Sequence, residues 1–243
     1  MGQVTLLILI RFMSDTTQNK RLNPNLFNTR YVHLTQLRNA TIKTINQLTL
    51  HNSNLLIVDF GCGDMPYRSI IEPKVGKYIG VDLELNPKAE YHIDYDSKTT
   101  LPDNYADIIL SNQVLEHVDS PHSYLSEALR LLKPGGHLIL TTHGYWYYHP
   151  TPYDYWRWTS AGLRKTVEAE GFKVISFHGI MGLAASGLQL LQDAFLLKMP
   201  KFLIPPFAFI MQLLIRLFDK MHSQPQRDRD ASLYVVIAQK PIM

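Results

Sequence analysis

The stretch that most constrains the fold is the run Leu55-Leu56-Ile57-Val58-Asp59-Phe60-Gly61-Cys62-Gly63-Asp64. Its first four residues are apolar and partly β-branched, which predicts a buried strand. The strand ends at an acidic residue, and the two glycines that follow permit a tight turn and close approach to the backbone. In α/β sheets, ligands bind beyond the carboxyl ends of the strands, where the chain crosses to a helix. We therefore expect a nucleotide-like ligand at this turn.

Strand and helix patterns alternate along most of the chain. After an amphipathic helix over residues 31–50 and the strand above, further strands are predicted at 77–82, 91–94, 106–110, 137–142, 172–178 and 232–239. Helices are predicted between them at 67–71, 123–132 and 163–170, and Lys133-Pro134-Gly135-Gly136 is a stop signal for the second of these. The alternation predicts an α/β fold with a mainly parallel sheet and helices on both faces.

Two segments fall outside the alternating pattern. Residues 1–30 combine an apolar tail, too short to span a bilayer, with a polar arm, so the domain is predicted to occupy residues 31–243. Residues 181–230 form an apolar helical insertion before the last strand, interrupted by Pro200 and by Pro205–Pro206. The latter two prolines are expected to break a spanning helix. Basic flanks around the apolar residues of 199–220 suit contact with a membrane surface. A lid or a dimer face is the alternative.

Composition narrows the range of partners. The net charge is +3 and no block of Lys or Arg stands out, so a nucleic-acid partner is not expected. The single cysteine, Cys62, excludes an internal disulfide framework and a cysteine-rich metal site. It also fits a reducing, cytoplasmic compartment.

The glycine turn differs from that of a dinucleotide-binding protein, which requires G-x-G-x-x-G. Pro66 follows Met65 and the third glycine is missing, so the ligand is expected to be smaller and to carry no pyrophosphate. Asp82 ends the second strand, with Leu83 beside it, and its carboxylate can accept hydrogen bonds from both hydroxyls of a ribose. A helix-capping role is the alternative for Asp82.

Three other acidic residues are candidates for the same ligand. Asp59 is expected to orient the turn and to interact with a ligand ammonium group, directly or through water. Asp94 or Asp96, after the third strand, is expected at an adenine edge, and the sequence does not distinguish between them.

Five motifs in a fixed order resemble those of a class I S-adenosylmethionine-dependent methyltransferase, and more narrowly the type 11 methyltransferase domain. They are Val58-Asp59-Phe60-Gly61-Cys62-Gly63, Ile79-Gly80-Val81-Asp82, Leu101-Pro102, Ala106-Asp107-Ile108-Ile109-Leu110-Ser111-Asn112-Gln113-Val114-Leu115-Glu116-His117-Val118 and Leu131-Leu132-Lys133-Pro134-Gly135-Gly136. The resemblance covers about residues 55–178 and the last strand.

The resemblance implies a Rossmann-like, doubly wound seven-stranded sheet of order 3-2-1-4-5-7-6, with the last strand antiparallel. It implies S-adenosylmethionine as the cofactor, with the Gly61–Cys62–Gly63 turn passing its methionine part and Asp82 on its ribose. Asn112, Gln113 and Val114 would lie beside the methionine moiety. Glu116 and His117 would have a structural rather than a catalytic role.

The run from Thr142 to Thr159 follows the fifth strand and is rich in aromatic residues and histidine, which suits a sugar or a flat ring as methyl acceptor. The candidates for a base are His149, Asp154 and His143. The candidates for acceptor binding are Tyr153, Arg157 and Trp146, with Arg157 suited to an anionic group. An Asp154–Arg157 structural pair is the alternative. No metal site is expected at the two histidines, because no acidic or cysteine residue stands at ligand spacing.

These features predict O-methylation of a glycan or a lipid-linked small molecule on the cytoplasmic side, by an enzyme peripheral to the membrane. The Tyr-Asp-Tyr-Trp-Arg-Trp-Thr run also resembles type 11 members from bacterial cell-surface glycan and lipid contexts. One alternative is C-methylation of a quinone precursor, with the histidines as ring-proton bases. Another is a non-catalytic cofactor-binding or membrane-docking protein, against which the glycine turn and Asp82 argue.

Overall fold

The computed structural model describes residues 21–94 and 96–242, so the predicted apolar tail lies outside the described residues. A seven-stranded sheet has the order β3-β2-β1-β4-β5-β7-β6. Strand β7 is antiparallel to both β5 and β6, and all the other pairings are parallel. The predicted fold is therefore confirmed. The strands are β1 Leu56–Phe60, β2 Lys77–Leu83, β3 Tyr91–Ile93, β4 Ala106–Asn112, β5 Leu132–His143, β6 Lys173–Gly182 and β7 Ala231–Gln239.

Helices cover both faces of the sheet. They are α1 Tyr31–Thr49, α2 Arg68–Ile71, α3 Pro121–Leu131, α4 Ser160–Ala169, α5 Leu183–Leu196, α6 Ile204–Asp219 and α7 Gln224–Arg229, with short 3-10 turns at Glu72–Lys74 and Lys201–Leu203. Helix α3 begins at Pro121, before the start predicted at residue 123. The Ser120 side chain accepts a hydrogen bond from the Ser123 amide, and Pro121 takes the first helical position.

Residues of β1 alternate between two apolar cores. Val58 and Phe60 pack with residues of α3 and α4, including Leu125. Ile57 points to the other face and packs with Ile45 of α1. Burial on both faces explains why this strand reads as an unbroken apolar run.

Strand β5 begins earlier than predicted. Leu132 pairs with Ala106 of β4, and the Gly135 amide donates to the Lys240 carbonyl at 2.9 Å. The predicted stop signal does end α3. Its two glycines then belong to β5, because their backbone groups form hydrogen bonds with Lys240 beside the strand.

The prediction that Pro205 and Pro206 break a helix is wrong, whereas Pro200 does lie in the interruption between α5 and α6. Pro205 and Pro206 occupy the first turn of α6, where a missing N–H costs nothing, and the helix continues to Asp219. Lys201–Asp219, 19 residues, is the single helical stretch of the described chain long and apolar enough to cross a bilayer. One face of this helix packs against the rest of the domain, because the side chains of Met211 and Ile215 are buried.

Candidate active site

The turn after β1 is built around two glycines with positive φ. Gly61 has φ +80°, and a Cβ there would lie 2.6 Å from both methyl carbons of Val114. Gly63 has φ +51°, and a Cβ on it would meet nothing within 4 Å. The Gly61 and Cys62 amides donate to the Val81 carbonyl at 2.8 and 3.0 Å, which folds the turn across the end of β2. The turn therefore packs tightly against Val114 and is open above Gly63.

The carboxylate of Asp82 closes this turn. Its Oδ2 accepts from the Gly63 amide at 2.7 Å and from Asn86 Nδ2 at 2.8 Å, and its Oδ1 accepts from the Leu83 amide at 2.8 Å. The Cys62 thiol also lies 4.0 Å from Oδ2. Of the roughly four acceptor positions of a carboxylate, two lie on Oδ1, where the Leu83 amide takes one and leaves the other open to a ribose hydroxyl. Sequence reasoning missed Asn86, although an amide four residues after Asp82 was a signal for it.

Asp59 and Cys62 lie beneath the turn. Asp59 is buried and accepts a hydrogen bond from the Tyr78 hydroxyl, and burial raises the pKa of its carboxyl to about 7. Burial also raises the pKa of the Cys62 thiol, so this side chain is not a nucleophile. The role predicted for Asp59 at a ligand ammonium group stays a prediction.

The end of β4 offers an acceptor at the predicted methionine position. Gln113 has φ +57°, and its Nε2 donates to Thr141 Oγ1 at 3.1 Å. Its Oε1 is buried without a hydrogen-bond partner among the described residues. Asn112 beside it accepts from Thr141 Oγ1 at 3.1 Å. Buried polar atoms are normally satisfied, so the free oxygen suits a ligand donor such as an ammonium group. With the glycine turn, the residues present fit S-adenosylmethionine.

Asp94 and Asp96 are both exposed. Asp94 Oδ1 accepts from the Lys98 amide at 2.8 Å within its own turn. The prediction for the adenine edge stays open between the two.

The aromatic loop, residues 144–159 between β5 and α4, is held against the segment after β4. The amides of Tyr155 and Trp156 donate to the Glu116 carbonyl at 2.8 and 3.2 Å, and Trp156 Nε1 donates to the Val118 carbonyl at 2.9 Å. The Trp158 amide returns to the His143 carbonyl at 3.1 Å. The loop therefore lies at the carboxyl edge of the sheet, as its position after β5 predicts.

Imidazole rings from three parts of the chain meet at the base of this loop. The His143 ring lies 4.8 Å from both the His149 and the Trp146 rings, measured between centroids. His33 of α1 lies 4.5 Å from Trp146. Burial lowers the pKa of His33 to about 3 and that of His143 well below its ordinary value. Both rings are therefore neutral at pH 7.

Asp154 and Arg157 form the structural pair described above as the alternative. Arg157 binds both carboxylate oxygens of Asp154, each at 2.6 Å, and also donates to the carbonyls of Trp146 and Tyr147. Burial alone would raise the pKa of Asp154, but Arg157 and the His149 amide hold it at about 2. We therefore assign neither the base role to Asp154 nor anion binding to Arg157. Tyr153 is exposed and stacks on Tyr155.

Glu116 is the site residue that sequence reasoning undervalued. It is fully buried, and Thr142 Oγ1 donates to its Oε2 at 2.9 Å. Its Oε1 lies 3.4 Å from His143 Nε2 and has no hydrogen-bond partner among the described residues. The expectation that no acidic residue reaches the two histidines is wrong, because β4 and β5 are neighbours and end at the same edge. That adjacency was the available signal.

A seven-stranded sheet of this order, with a glycine turn and an acid at the ends of β1 and β2, is the arrangement that the resemblance to class I S-adenosylmethionine-dependent methyltransferases implied. The chain belongs to the methyltransferase-domain family, whose model matches residues 33–177, more than half of its length. The predicted activity class and the cofactor are thereby confirmed.

Two curated relatives align with parts of the chain. A probable S-adenosylmethionine-dependent methyltransferase of Mycolicibacterium smegmatis is 26% identical over 142 residues, 51% of this chain and 55% of that protein. A ubiquinone biosynthesis O-methyltransferase of Maricaulis maris is 36% identical over 105 residues, 36% of this chain and 40% of that protein. The chain therefore matches about half the length of these relatives or less.

A solved structure shows the same fold. Phosphoethanolamine N-methyltransferase 2 of Haemonchus contortus, in complex with S-adenosylmethionine, superposes with a TM-score of 0.54 at 16% identity. The match covers 84% of this chain and 52% of the other.

Proposed function

We propose that this methyltransferase O-methylates a lipid-linked small molecule or glycan at a membrane surface. The observation that carries the proposal is a physical connection, through Arg30, between an exposed apolar helical hairpin and the aromatic loop of the active site.

The hairpin of α5 and α6 exposes an unusually large apolar surface. Leu197 is 86% exposed and Phe202 is 77% exposed. The same surface includes Leu183, Leu191, Phe195, Leu203, Ile210, Leu213, Leu214, Leu217, Phe218 and Met221. Exposed basic side chains surround it, at Lys198, Lys201, Arg216 and Lys220. An apolar face with a basic rim is the composition of helices that lie in the interface of an anionic bilayer.

Arg30 joins this hairpin to the loop that follows β5. Its guanidinium pairs with Asp193 of α5 and lies 5.2 Å from the Trp146 ring centroid and 4.9 Å from that of Tyr147. Gln189, Gln192 and Gln212 of the hairpin all donate to the Thr29 carbonyl next to it. An acceptor whose lipid tail stays in the bilayer would therefore meet the aromatic loop beside the hairpin.

The chemistry divides between the cofactor and the protein. The cofactor supplies an electrophilic methyl group, so that the acceptor oxygen gains a C–O bond, the C–S electron pair stays on sulfur, and the acceptor proton must leave. The chain positions the acceptor on Trp146 and offers neutral His143 and His149 beside buried Glu116 for the hydroxyl. The name of the M. maris relative, a ubiquinone biosynthesis O-methyltransferase, agrees with an acceptor of this kind. The basic rim favours the cytoplasmic face, where anionic lipids are concentrated.

Methyl-labelled cofactor and a membrane extract test the proposal. With purified protein we expect label in a lipid-soluble product, and hydriodic acid should release that label as methyl iodide because it cleaves methyl ethers. Asp82→Asn, which we expect to weaken cofactor binding, is the negative control. Label that resists hydriodic acid would favour C-methylation of a ring instead. Absence of any transfer despite tight cofactor binding would contradict an enzymatic role.

A further inference from the structure

Glu116, His143 and His149 come together around one point of the active site. A single donor atom from each lies within 4.8 Å of the others. They come from the segment after β4, the end of β5 and the aromatic loop, so the tertiary fold alone brings them together. We propose that these three side chains bind a divalent transition-metal ion such as Zn²⁺.

The unsatisfied carboxylate oxygen of Glu116 is the first argument. Glu116 is 0% exposed, yet its Oε1 has no hydrogen-bond partner among the described residues. Glu116 Oε1 faces His143 Nε2 at 3.4 Å, beyond a good hydrogen bond. Two ligands at about 2.0–2.1 Å from a tetrahedral Zn²⁺ are themselves roughly 3.3 Å apart. The observed distance is therefore that of two ligands sharing one metal ion.

Hydrogen bonds with neighbouring residues orient two of the three donors, Glu116 and His149. Thr142 holds Glu116 Oε2 at 2.9 Å and leaves Oε1 for the ion. His149 Nδ1 lies 3.1 Å from the Tyr147 carbonyl and 3.2 Å from Asp154 Oδ2, which leaves Nε2 for the ion. Metal-bound histidines usually donate their second ring N–H to a carbonyl or carboxylate in this way. The pairing of Asp154 with Arg157 also holds this part of the loop, because Asp154 Oδ2 accepts from the His149 backbone amide at 2.8 Å.

The donor set selects the class of ion. Two imidazoles and one carboxylate suit Zn²⁺ and similar divalent ions, and three protein ligands leave a position for a substrate oxygen. In the role that rests on the proposed function, the bound ion would replace His143 and His149 as the group that acts on the acceptor hydroxyl, because histidines that ligate it cannot serve as bases. A hydroxyl at the open position would then lose its proton to water more readily. Metal binding itself does not depend on that role.

Calorimetry of Zn²⁺ into metal-free, acceptor-free protein tests the site. We expect one Zn²⁺ per chain, with affinity at least about tenfold weaker in His149→Ala and in Glu116→Gln. His51→Gln is the matched control, because His51 is exposed in the loop before β1, at the opposite edge of the sheet. Co²⁺ should give visible absorption bands in the wild type and lose them in His149→Ala.

His149 is only partly buried, so its substitution is expected to leave the fold intact. Unchanged circular dichroism and cofactor affinity in the variants verify this. If the wild type binds no Zn²⁺ at about 100 μM, a concentration 100 times a micromolar Kd, the proposed site is wrong. It is also wrong if both variants bind Zn²⁺ as the wild type does. Failure of the lipid-acceptor assay with an intact Zn²⁺ titration would count against the proposed function alone.

Discussion

Asp82 is the predicted ribose ligand, and in the structure it also fixes the shape of the glycine turn. Replacing it with Ala removes an acceptor for the Gly63 amide, the Leu83 amide and Asn86 as well as for the cofactor. We expect at least about tenfold weaker S-adenosylmethionine binding, which corresponds to about 1.4 kcal/mol. Calorimetry measures this directly. Asp103→Asn, on an exposed side chain that pairs with Arg130, is the control. An unchanged affinity in Asp82→Ala would remove Asp82 from the cofactor site.

The individual residues differ in how readily their sequence context shows their role. Asp82 could be placed because the end of a strand fixes its position relative to Gly61 and Gly63. Arg157 could not, because a guanidinium in an aromatic run is compatible with binding an anion and with holding a loop. In the structure Arg157 holds the loop, because its guanidinium donates to Asp154 and to three backbone carbonyls. Glu116 was undervalued because its partners follow it by many residues and belong to another strand.

Helices α5 and α6 form the element that distinguishes this chain from a bare methyltransferase sheet. Their inner faces join Ile180 and Val32 in a separate apolar core, and Gln212 ties them to the start of α1 through the Val32 amide at 2.9 Å. The prolines predicted to interrupt α6 instead start it, because sequence alone does not show where a helix begins. Removing the hairpin would open this core, so its role is best tested on its exposed side chains.

We expect the double variant Phe202→Asp, Leu217→Asp to bind anionic vesicles at least about tenfold less than the wild type in a sedimentation assay. Both side chains are exposed, and moving one such side chain out of an apolar phase costs about 1.5–3 kcal/mol. Ile175→Asp is the matched control, because Ile175 is 51% exposed on β6, outside the hairpin. Cofactor affinity should stay the same in all three proteins. Wild-type protein that stays in the supernatant would exclude the membrane-surface role.

Across the whole molecule, the sheet was predictable and the active-site chemistry was only partly so. Apolar runs mark the strands, and turn residues mark the connections between them. The positions of the strands can therefore be predicted from short stretches of sequence. The order of the strands came from the resemblance of ordered motifs such as Gly61–Cys62–Gly63 and Glu116–His117. The meeting of Glu116, His143 and His149 depends on side-chain directions in an irregular loop, which no local pattern encodes.

The stability of the whole domain should depend on pH through Asp59. Burial raises the pKa of its carboxyl to about 7, and nearby Asp82 and Glu90 add to the effect against the Tyr78 hydrogen bond. Between its ordinary value near 4 and about 7, the folded chain therefore keeps a proton that the unfolded chain has lost. The free energy of unfolding then falls as pH rises through this window. From pH 5 to pH 8 the Asp59 contribution is about 2–3 kcal/mol.

We expect Asp59→Asn to remove that part of the pH dependence, because an amide does not titrate. Denaturant unfolding of the cofactor-free protein at pH 5 and pH 8 gives the change in the free energy of unfolding for wild type and variant. The difference between these two changes is the Asp59 contribution, because the contributions of other titrating groups such as Glu116 are the same in both proteins and cancel. Asp119→Asn, on an exposed residue before α3, should behave as the wild type. A wild-type pH dependence that Asp59→Asn reproduces in full would show that Asp59 is already ionised in the fold.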